Sequence, residues 1–228
     1  MKLVQKAFIK SLPVMAGYIV LGIGFGILLK VNGYGLGWAL LMSIFIFAGS
    51  MQFVGITLMT SGASIFTVAL TTLLVNARHL FYGISMVEKY KGAGPKKPYL
   101  IHALTDETYS LVCTDDVPEE GNPHTYYFLV SLMDQCYWVL GSIIGVVLGT
   151  VLTFNSAGIE FSMTALFVTV FTEQWLSSKE HRPALIGLLA TLICLLVFGK
   201  EIFLIPSMVA ITVLLFAMRR TLEKKEEE

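Results

Sequence analysis

The length of its apolar stretches is the feature that most constrains the fold of this chain. Between Ser11 and Val87, only Lys30 and Arg78 carry a formal charge. A helix that crosses a bilayer needs about 20 mostly apolar residues, and its backbone must be hydrogen-bonded within the segment because lipid offers no partners. The residues do not alternate in polarity as barrel strands do. The sequence therefore predicts an all-α polytopic membrane protein.

The composition argues against several classes of protein. Hydrophobic residues make up 55% of the 228 residues and charged residues only 14%, whereas soluble domains are about 25% charged. The formal net charge is zero, which gives no basic face for a nucleic acid. The sequence has no phosphate-binding loop, nucleophile elbow or metal-ligand spacing, and its three cysteines show no paired spacing. We expect no enzymatic activity, no cofactor and no metal.

Seven segments are long and apolar enough to be transmembrane helices. They lie at about residues 12–30, 38–59, 63–87, 127–153, 159–177, 183–199 and 202–218. We therefore expect a single transmembrane transporter domain over residues 1–228, built from about seven helices. With this count of crossings, the positive-inside rule places the N-terminus outside the cell.

One segment, KPYLIHALTDETYSLVC at residues 97–113, does not fit a simple crossing helix. Its apolar residues recur at roughly helical spacing, but His102, Asp106 and Glu107 make it too polar to face lipid. It is also too apolar for an aqueous loop. The composition predicts a short helix packed inside the protein, and a re-entrant path fits it.

Two stretches of the sequence have a similar pattern, which suggests an internal repeat. Residues 21–53 and 140–175 each contain a glycine-rich helix, a short loop and a helix with a polar end. The corresponding units would be about residues 12–87 and 127–199, with an extra helix at 202–218. Three crossings in each unit would invert the second unit, which is a common construction of secondary transporters. The alternative is that glycines recur wherever helices pack closely.

Arg78 lies within the third apolar segment, where a charge is expensive. A charge at bilayer depth costs between about 3 and well over 10 kcal/mol, so it needs a partner or water. Three acids could pair with it, namely Asp106, Glu107 and Asp134. Two interpretations stay open: the pair only locks helices together, or Arg78 belongs to a substrate or coupling site.

Other polar residues within apolar segments complete the candidate site. Asn76 and His79 flank Arg78 and, being three positions apart, lie on roughly one helix face; Tyr82, which follows His79 at i+3 and Arg78 at i+4, extends that face. Ser50 could be a packing residue or a substrate contact, whereas the amide of Gln52 must find partners if it is buried. The predicted substrate-binding or coupling residues are Ser50, Gln52, Asn76, Arg78, His79, Tyr82, Asp106, Glu107 and Asp134.

The polar motifs inside the apolar segments resemble those of a known family. They are FAGSMQF (47–53), LVNARHLFYG (74–83), LTDETYSL (104–111) and FVTVFTEQW (167–175). They are similar to the AzlC family, the large subunit of bacterial branched-chain amino acid exporters, and the similarity covers nearly the whole chain. Asn76, Arg78 and His79 fit the N-x-R-H pattern that is frequent in that family.

The resemblance implies a multi-pass protein of the bacterial inner membrane that exports leucine, isoleucine, valine or analogues. It also implies proton coupling and a small hydrophobic AzlD-like partner subunit. From the residues themselves, Arg78 could bind the substrate carboxylate as a bidentate fork, helped by amides of a broken helix end near Gly49. Asp106, Glu107 or Asp134 could bind the ammonium or a coupling proton, and the same groups could equally form a gate without substrate contact. Two other functions remain as alternatives: a passive channel or facilitator for a small polar solute, and a structural membrane subunit that does not transport.

Overall fold

A computed structural model describes residues 2–113, 121–151 and 180–226, together with 168, 171–172 and 175–176. Most of the predicted span 159–177, and most of the acidic loop that precedes residue 121, lie outside these residues. The chain forms two compact units, Met1–Met163 and Thr164–Glu228. The described residues form helices, turns and loops without a strand, which confirms the all-α prediction.

The described residues of the first unit, 2–113 and 121–151, form eight helices and two short helical turns. They are α1 (Lys2–Val31), α2 (Leu36–Leu41), a π-helical turn (Met42–Ile46), α3 (Gly49–Thr60), α4 (Ile65–Asn76), α5 (Arg78–Met86), a 3-10 turn (Gly94–Lys96), α6 (Lys97–His102), α7 (Asp106–Val112) and α8 (Pro123–Val151). In the second unit, the described helices are α9 (Arg182–Ile202), which is kinked at Gly199, and α10 (Leu204–Glu226).

Up to four membrane-length segments occur in the described part of the chain. Three are continuous: most of α1, all of α8, and Arg182–Gly199 of α9. The fourth is the pair α4 and α5, which is bent by 49°. The described residues thus support a multi-helix membrane protein but do not confirm seven crossings.

α1 and α8 form the most extensive helix contact of the first unit, and they run in the same direction. Gly22 lies against Gly141, and Gly26 lies against Gly145, so residue numbers rise together along both helices. A Cβ on Gly26 would lie 2.2 Å from the backbone oxygen of Ser142. Only glycine permits this approach of two backbones. We call the two ends of this helix pair the Ala7 end and the Lys30 end.

The predicted span 38–59 is broken in its middle. After the π-helical turn, Phe47 takes a left-handed conformation with φ 40°, and α3 begins two residues later. A left-handed conformation is uncommon for a bulky residue such as phenylalanine. The break therefore needs contacts that hold it in place.

Beyond the break, α3 returns towards the Lys30 end from which α2 came. Phe47 packs edge-on against Tyr18 in the middle of α1, at 6.3 Å between ring centroids, whereas Phe53 packs at 5.8 Å against Phe25, nearer the Lys30 end. Residues 36–60 therefore form a hairpin, and the structure does not confirm the prediction of one membrane-crossing helix over 38–59. Apolar composition does not distinguish a crossing helix from a hairpin whose backbone groups are bound by protein.

α4 and α5 then run from the Lys30 end to the Ala7 end. Met86, at the end of α5, belongs to the same buried cluster as Ala7. The bend at Ala77 makes Arg78 the first residue of α5. The predicted span 63–87 is therefore one bent crossing.

Residues 97–113 form a second hairpin, and this one enters from the Ala7 end. Lys96, just before α6, donates a hydrogen bond to the first turn of α8, and Tyr99 donates one to Gln135 deeper in the unit. α7 then returns, so that Val112 lies in the buried cluster that contains Ala7. The segment is packed inside the protein and follows a re-entrant path, as predicted, but it contains two short helices instead of one.

These directions do not support the predicted inverted repeat. Units at 12–87 and 127–199 with inverted orientation would place α1 and α8 in opposite directions, whereas they are parallel. The structure has one crossing between them, α4–α5, where the sequence predicted two. The two hairpins, by contrast, are inverted relative to each other: the first enters the unit from the Lys30 end and the second from the Ala7 end.

Candidate functional site

Three interruptions of helices meet near the middle of the first unit. They are the tip of the first hairpin at Phe47–Ala48, the bend at Ala77, and the tip of the second hairpin at Ala103–Thr105. The first residues after each interruption carry the polar side chains Ser50, Arg78 and Asp106. We call these three residues the central site.

Arg78 connects both hairpins. Its Nη1 forms an ion pair with Asp106 Oδ2 at 2.7 Å, and its Nη2 donates a hydrogen bond to Ser50 Oγ at 2.5 Å. The two charged side chains are 26% and 24% exposed, so the pair is accessible from one side. Of the three acids that the sequence offered as partners, Asp106 forms this ion pair. Glu107 and Asp134 have hydrogen bonds of their own elsewhere.

The N-terminus of α3 faces the central site. Its N-cap residue Ala48 provides no side-chain cap, and Ser50 lies in the first turn. The unsatisfied amides at a helix N-terminus carry a partial positive charge that favours an anion. Gln52 is completely buried beside this turn; its Nε2 donates to Ser43 at 3.3 Å, whereas its Oε1 has no hydrogen-bond partner.

Asn76, His79 and Tyr82 flank the ion pair on α4 and α5. The His79 ring donates from Nδ1 to the backbone oxygen of Asn76 at 3.1 Å, and the buried Oδ1 of Asn76 has no partner. Tyr82 lies edge-on to His79 and stacks on Tyr109 of α7 at 4.7 Å between ring centroids. The predicted face therefore exists, but the hydrogen bond of its histidine is made to backbone.

Glu107 and Asp134 belong to a separate set of buried hydrogen bonds. Tyr18 is hydrogen-bonded to Glu107 Oε2 at 2.8 Å, and Thr108 is hydrogen-bonded to Asp134 Oδ2 at 2.9 Å. Asp134 is 0% exposed. Asp106 and Glu107, although neighbours in sequence, therefore have different partners.

Several polar residues that the sequence did not single out hold the first hairpin tip. Gln135 and His102 both donate to the backbone oxygen of Ile44, at 3.1 and 2.9 Å, within the π-helical turn. Ser43 donates to Ser142 of α8 at 3.0 Å. The additional residues are Tyr18, Ser43, Tyr99, His102, Thr105, Thr108, Gln135 and Ser142. Hydroxyl groups are common in membrane helices, so within this set only the imidazole of His102 and the amide of Gln135 were conspicuous in the sequence.

A cavity of about 410 Å³ lies between α4–α5 and the second hairpin. Its wall is mostly apolar and includes Leu73, Leu80 and Ile101. Asn76 and His79, which flank Arg78, also line it. The volume lies within the usual range of small-molecule sites, about 300–1,000 Å³. Within the described ranges, no cluster of three or more potential metal ligands occurs.

Comparison with known proteins gives a consistent set of relatives. The model of the AzlC protein family matches residues 13–152. The branched-chain amino acid transport protein AzlC of Bacillus subtilis (strain 168) is 42% identical over 222 residues, which cover 97% of this chain and 87% of that protein. An uncharacterized membrane protein of Haemophilus influenzae is 44% identical over 98% of this chain and 92% of its own length. The inner membrane protein YgaZ of Escherichia coli is 27% identical over 209 residues, which cover 86% of this chain and 80% of that protein. No solved structure matches significantly.

Proposed function

This chain belongs to the AzlC family, and we propose that it exports branched-chain or related hydrophobic amino acids across a bacterial inner membrane. We further propose that transport is coupled to protons and requires a small AzlD-like membrane subunit. The Arg78–Asp106 ion pair at the junction of two hairpins carries this proposal.

The charges of the central site complement those of an amino acid. A zwitterion that enters between Arg78 and Asp106 exchanges one ion pair for two: its carboxylate binds the guanidinium and its ammonium binds the aspartate. Asp106 Oδ1 is buried without a hydrogen-bond partner, so it can accept from an ammonium. Arginine binds carboxylates with two parallel hydrogen bonds, which fixes their orientation. A solute that lacks either charge would leave one partner unpaired.

The surroundings of the ion pair favour the same substrate class. The N-terminus of α3 adds partial positive charge where the carboxylate would bind, as broken helices do in other transporters. The cavity beside Asn76 and His79 provides apolar walls for a branched side chain. A charged or strongly polar side chain would find few partners there.

The distribution of basic residues indicates the orientation of the first unit. Lysines at or beyond the Ala7 end are Lys2, Lys6, Lys10, Lys89, Lys91, Lys96 and Lys97. The Lys30 end of the described residues 2–151 has Lys30 alone. The positive-inside rule then places the Ala7 end in the cytoplasm, which is the reverse of the orientation expected from seven crossings.

Leucine counterflow in proteoliposomes tests the function. Vesicles that contain the chain and its small partner are loaded with unlabelled leucine and diluted into radiolabelled leucine. Transient accumulation of label is expected, and it should be suppressed by valine and isoleucine but not by glutamate. Vesicles without the partner should show little accumulation.

The same assay separates the alternatives. A passive facilitator for a polar solute predicts no competition by branched-chain amino acids and no effect of dissipating a proton gradient. A structural subunit predicts no flux with any combination of subunits. Either result would overturn the proposed function.

A further inference from the structure

A continuous chain of hydrogen-bonded oxygen atoms links the carboxyl groups of Asp134 and Glu107. From Asp134 it runs through the hydroxyls of Thr108, Thr105 and Tyr18 to Glu107, and the successive distances are 2.9, 3.1, 2.6 and 2.8 Å. The three hydroxyl residues are between 0 and 6% exposed. We call this set the hydroxyl chain.

The hydroxyl chain has one hydrogen bond more than its hydroxyl groups can donate. Each hydroxyl has a single proton and two lone pairs. Three hydroxyls therefore supply three of the four hydrogen bonds when both carboxyls are ionised. The fourth bond requires a proton on Asp134 or Glu107. With that proton, every oxygen-to-oxygen contact has a donor, and the backbone amide of Thr108 still donates to the second lone pair of Thr105.

We propose that the hydroxyl chain holds one carboxyl proton and relays it between Asp134 and Glu107. With the proton on Asp134, Asp134 donates to Thr108 and Thr108 donates to Thr105. Thr105 then donates to Tyr18, and Tyr18 donates to an ionised Glu107. In the other state, Glu107 carries the proton and donates to Tyr18, each of the three hydroxyl groups donates its hydrogen bond in the opposite direction, and Asp134 is ionised. Four protons each move along one hydrogen bond, so the net result is the transfer of one negative charge from one acid to the other.

The contacts of the two acids differ enough to make the two states unequal. Asp134 Oδ1 is buried without a partner, so an ionised Asp134 would have a single donor, Thr108. Leaving a buried charge poorly hydrogen-bonded is costly. The relayed proton therefore rests on Asp134 when the central site contains only its own ion pair.

The charged groups around the chain connect it to the central site. Arg78 and Asp106 lie beside Glu107, and Tyr82 of α5 also faces it. Tyr99 of α6 faces Asp134. Moving the negative charge from Glu107 to Asp134 removes a charge that repels Asp106 and attracts Arg78, so it favours the Arg78–Asp106 ion pair. This step, which rests on the proposed transport function, couples the position of the proton to the re-formation of the ion pair after the substrate has left.

Thr108→Val tests the relay in transport, because valine has nearly the shape of threonine but no hydroxyl. We expect leucine accumulation driven by an imposed pH gradient to fall by about tenfold or more, whereas leucine counterflow persists. Thr108→Ser restores the hydroxyl and should restore gradient-driven transport. Equal loss of both activities in Thr108→Val, or no loss of either, would overturn the relay.

Infrared spectroscopy tests the extra proton without any transport. At neutral pH, the wild-type protein with its partner should show the carbonyl band of one protonated carboxylic acid. The double variant Asp134→Asn/Glu107→Gln should lack this band. Absence of the band from the wild type, or its persistence in the double variant, would overturn the relay. If the wild type gave no leucine counterflow, the proposed function would fail, but this spectrum would still decide about the proton.

Discussion

Replacing Gly26 of α1 by alanine should force α1 and α8 apart. The new Cβ would lie 2.2 Å from the backbone oxygen of Ser142 and 2.7 Å from the backbone nitrogen of Val146. Ordinary contacts begin at 3.4 Å, so the closest contact must lengthen by about 1.2 Å. Backbone atoms cannot move aside as a flexible side chain does. Overpacking of this kind costs about 1–3 kcal/mol.

Gly17→Ala in the same helix is the matched control, because nothing lies within 4 Å of its Cβ position. Both changes gain about 1 kcal/mol of helix propensity, so the difference between the two variants isolates the steric effect. Thermal unfolding of the purified protein, followed by tryptophan fluorescence, should give a midpoint for Gly26→Ala that is lower by about 2 °C or more. Equal midpoints for the two variants would refute the close parallel packing of α1 and α8.

Two further predictions concern the first hairpin and the cavity. In a variant without Cys113, Cys136 and Cys194, single cysteines at Asn32 and Ser61 should both react with an impermeant maleimide from the periplasm, because residues 36–60 return to the side from which they came. Labelling of the two sites from opposite sides would show that the segment crosses the membrane. Leu80→Trp should narrow the cavity and raise the KM for leucine about tenfold, which is about 1.4 kcal/mol, whereas Leu140→Trp outside it should not. A KM unchanged by Leu80→Trp would exclude the cavity as the binding site for the side chain.

The sequence predicted the class of fold and the residues around Arg78 because each has a strong physical signal. Long apolar stretches require helices in lipid, and a charge within such a stretch requires a partner. Asp106 was one of three acids that could pair with Arg78, and the structure places it at 2.7 Å. Sequence spacing could not identify Asp106 as the partner of Arg78, because Glu107 is the next residue in the same segment.

The path of residues 36–60 could not be predicted in this way. Its apolar residues are as frequent as in a crossing helix, and the break depends on contacts that are distant in sequence. The backbone oxygen of Ile44 is bound by Gln135 and His102, which come from α8 and the second hairpin. The parallel direction of α1 and α8 follows from this path, and for the same reason the structure does not confirm the predicted inverted repeat.

The hydroxyl chain also had little signal in the sequence. Tyr18, Thr105 and Thr108 are single polar residues whose positions become meaningful only when α1 and α7 bring them together beside Asp134 of α8. Asp134 was predicted as part of the site, but its partner is Thr108 and not Arg78. Charged residues could thus be found from the sequence, whereas their assignment to a binding pair or a relay required the structure.

Leucine counterflow by Arg78→Lys, with its partner subunit present, tests the central claim most directly. Lysine keeps the positive charge but cannot reach Ser50 and Asp106 with two separate donors, nor hold a carboxylate as a fork. We predict a rise of about tenfold or more in the KM for leucine, whereas Arg182→Lys at the start of α9 should leave it unchanged. Wild-type KM and rate in Arg78→Lys would contradict the binding of the substrate carboxylate at Arg78.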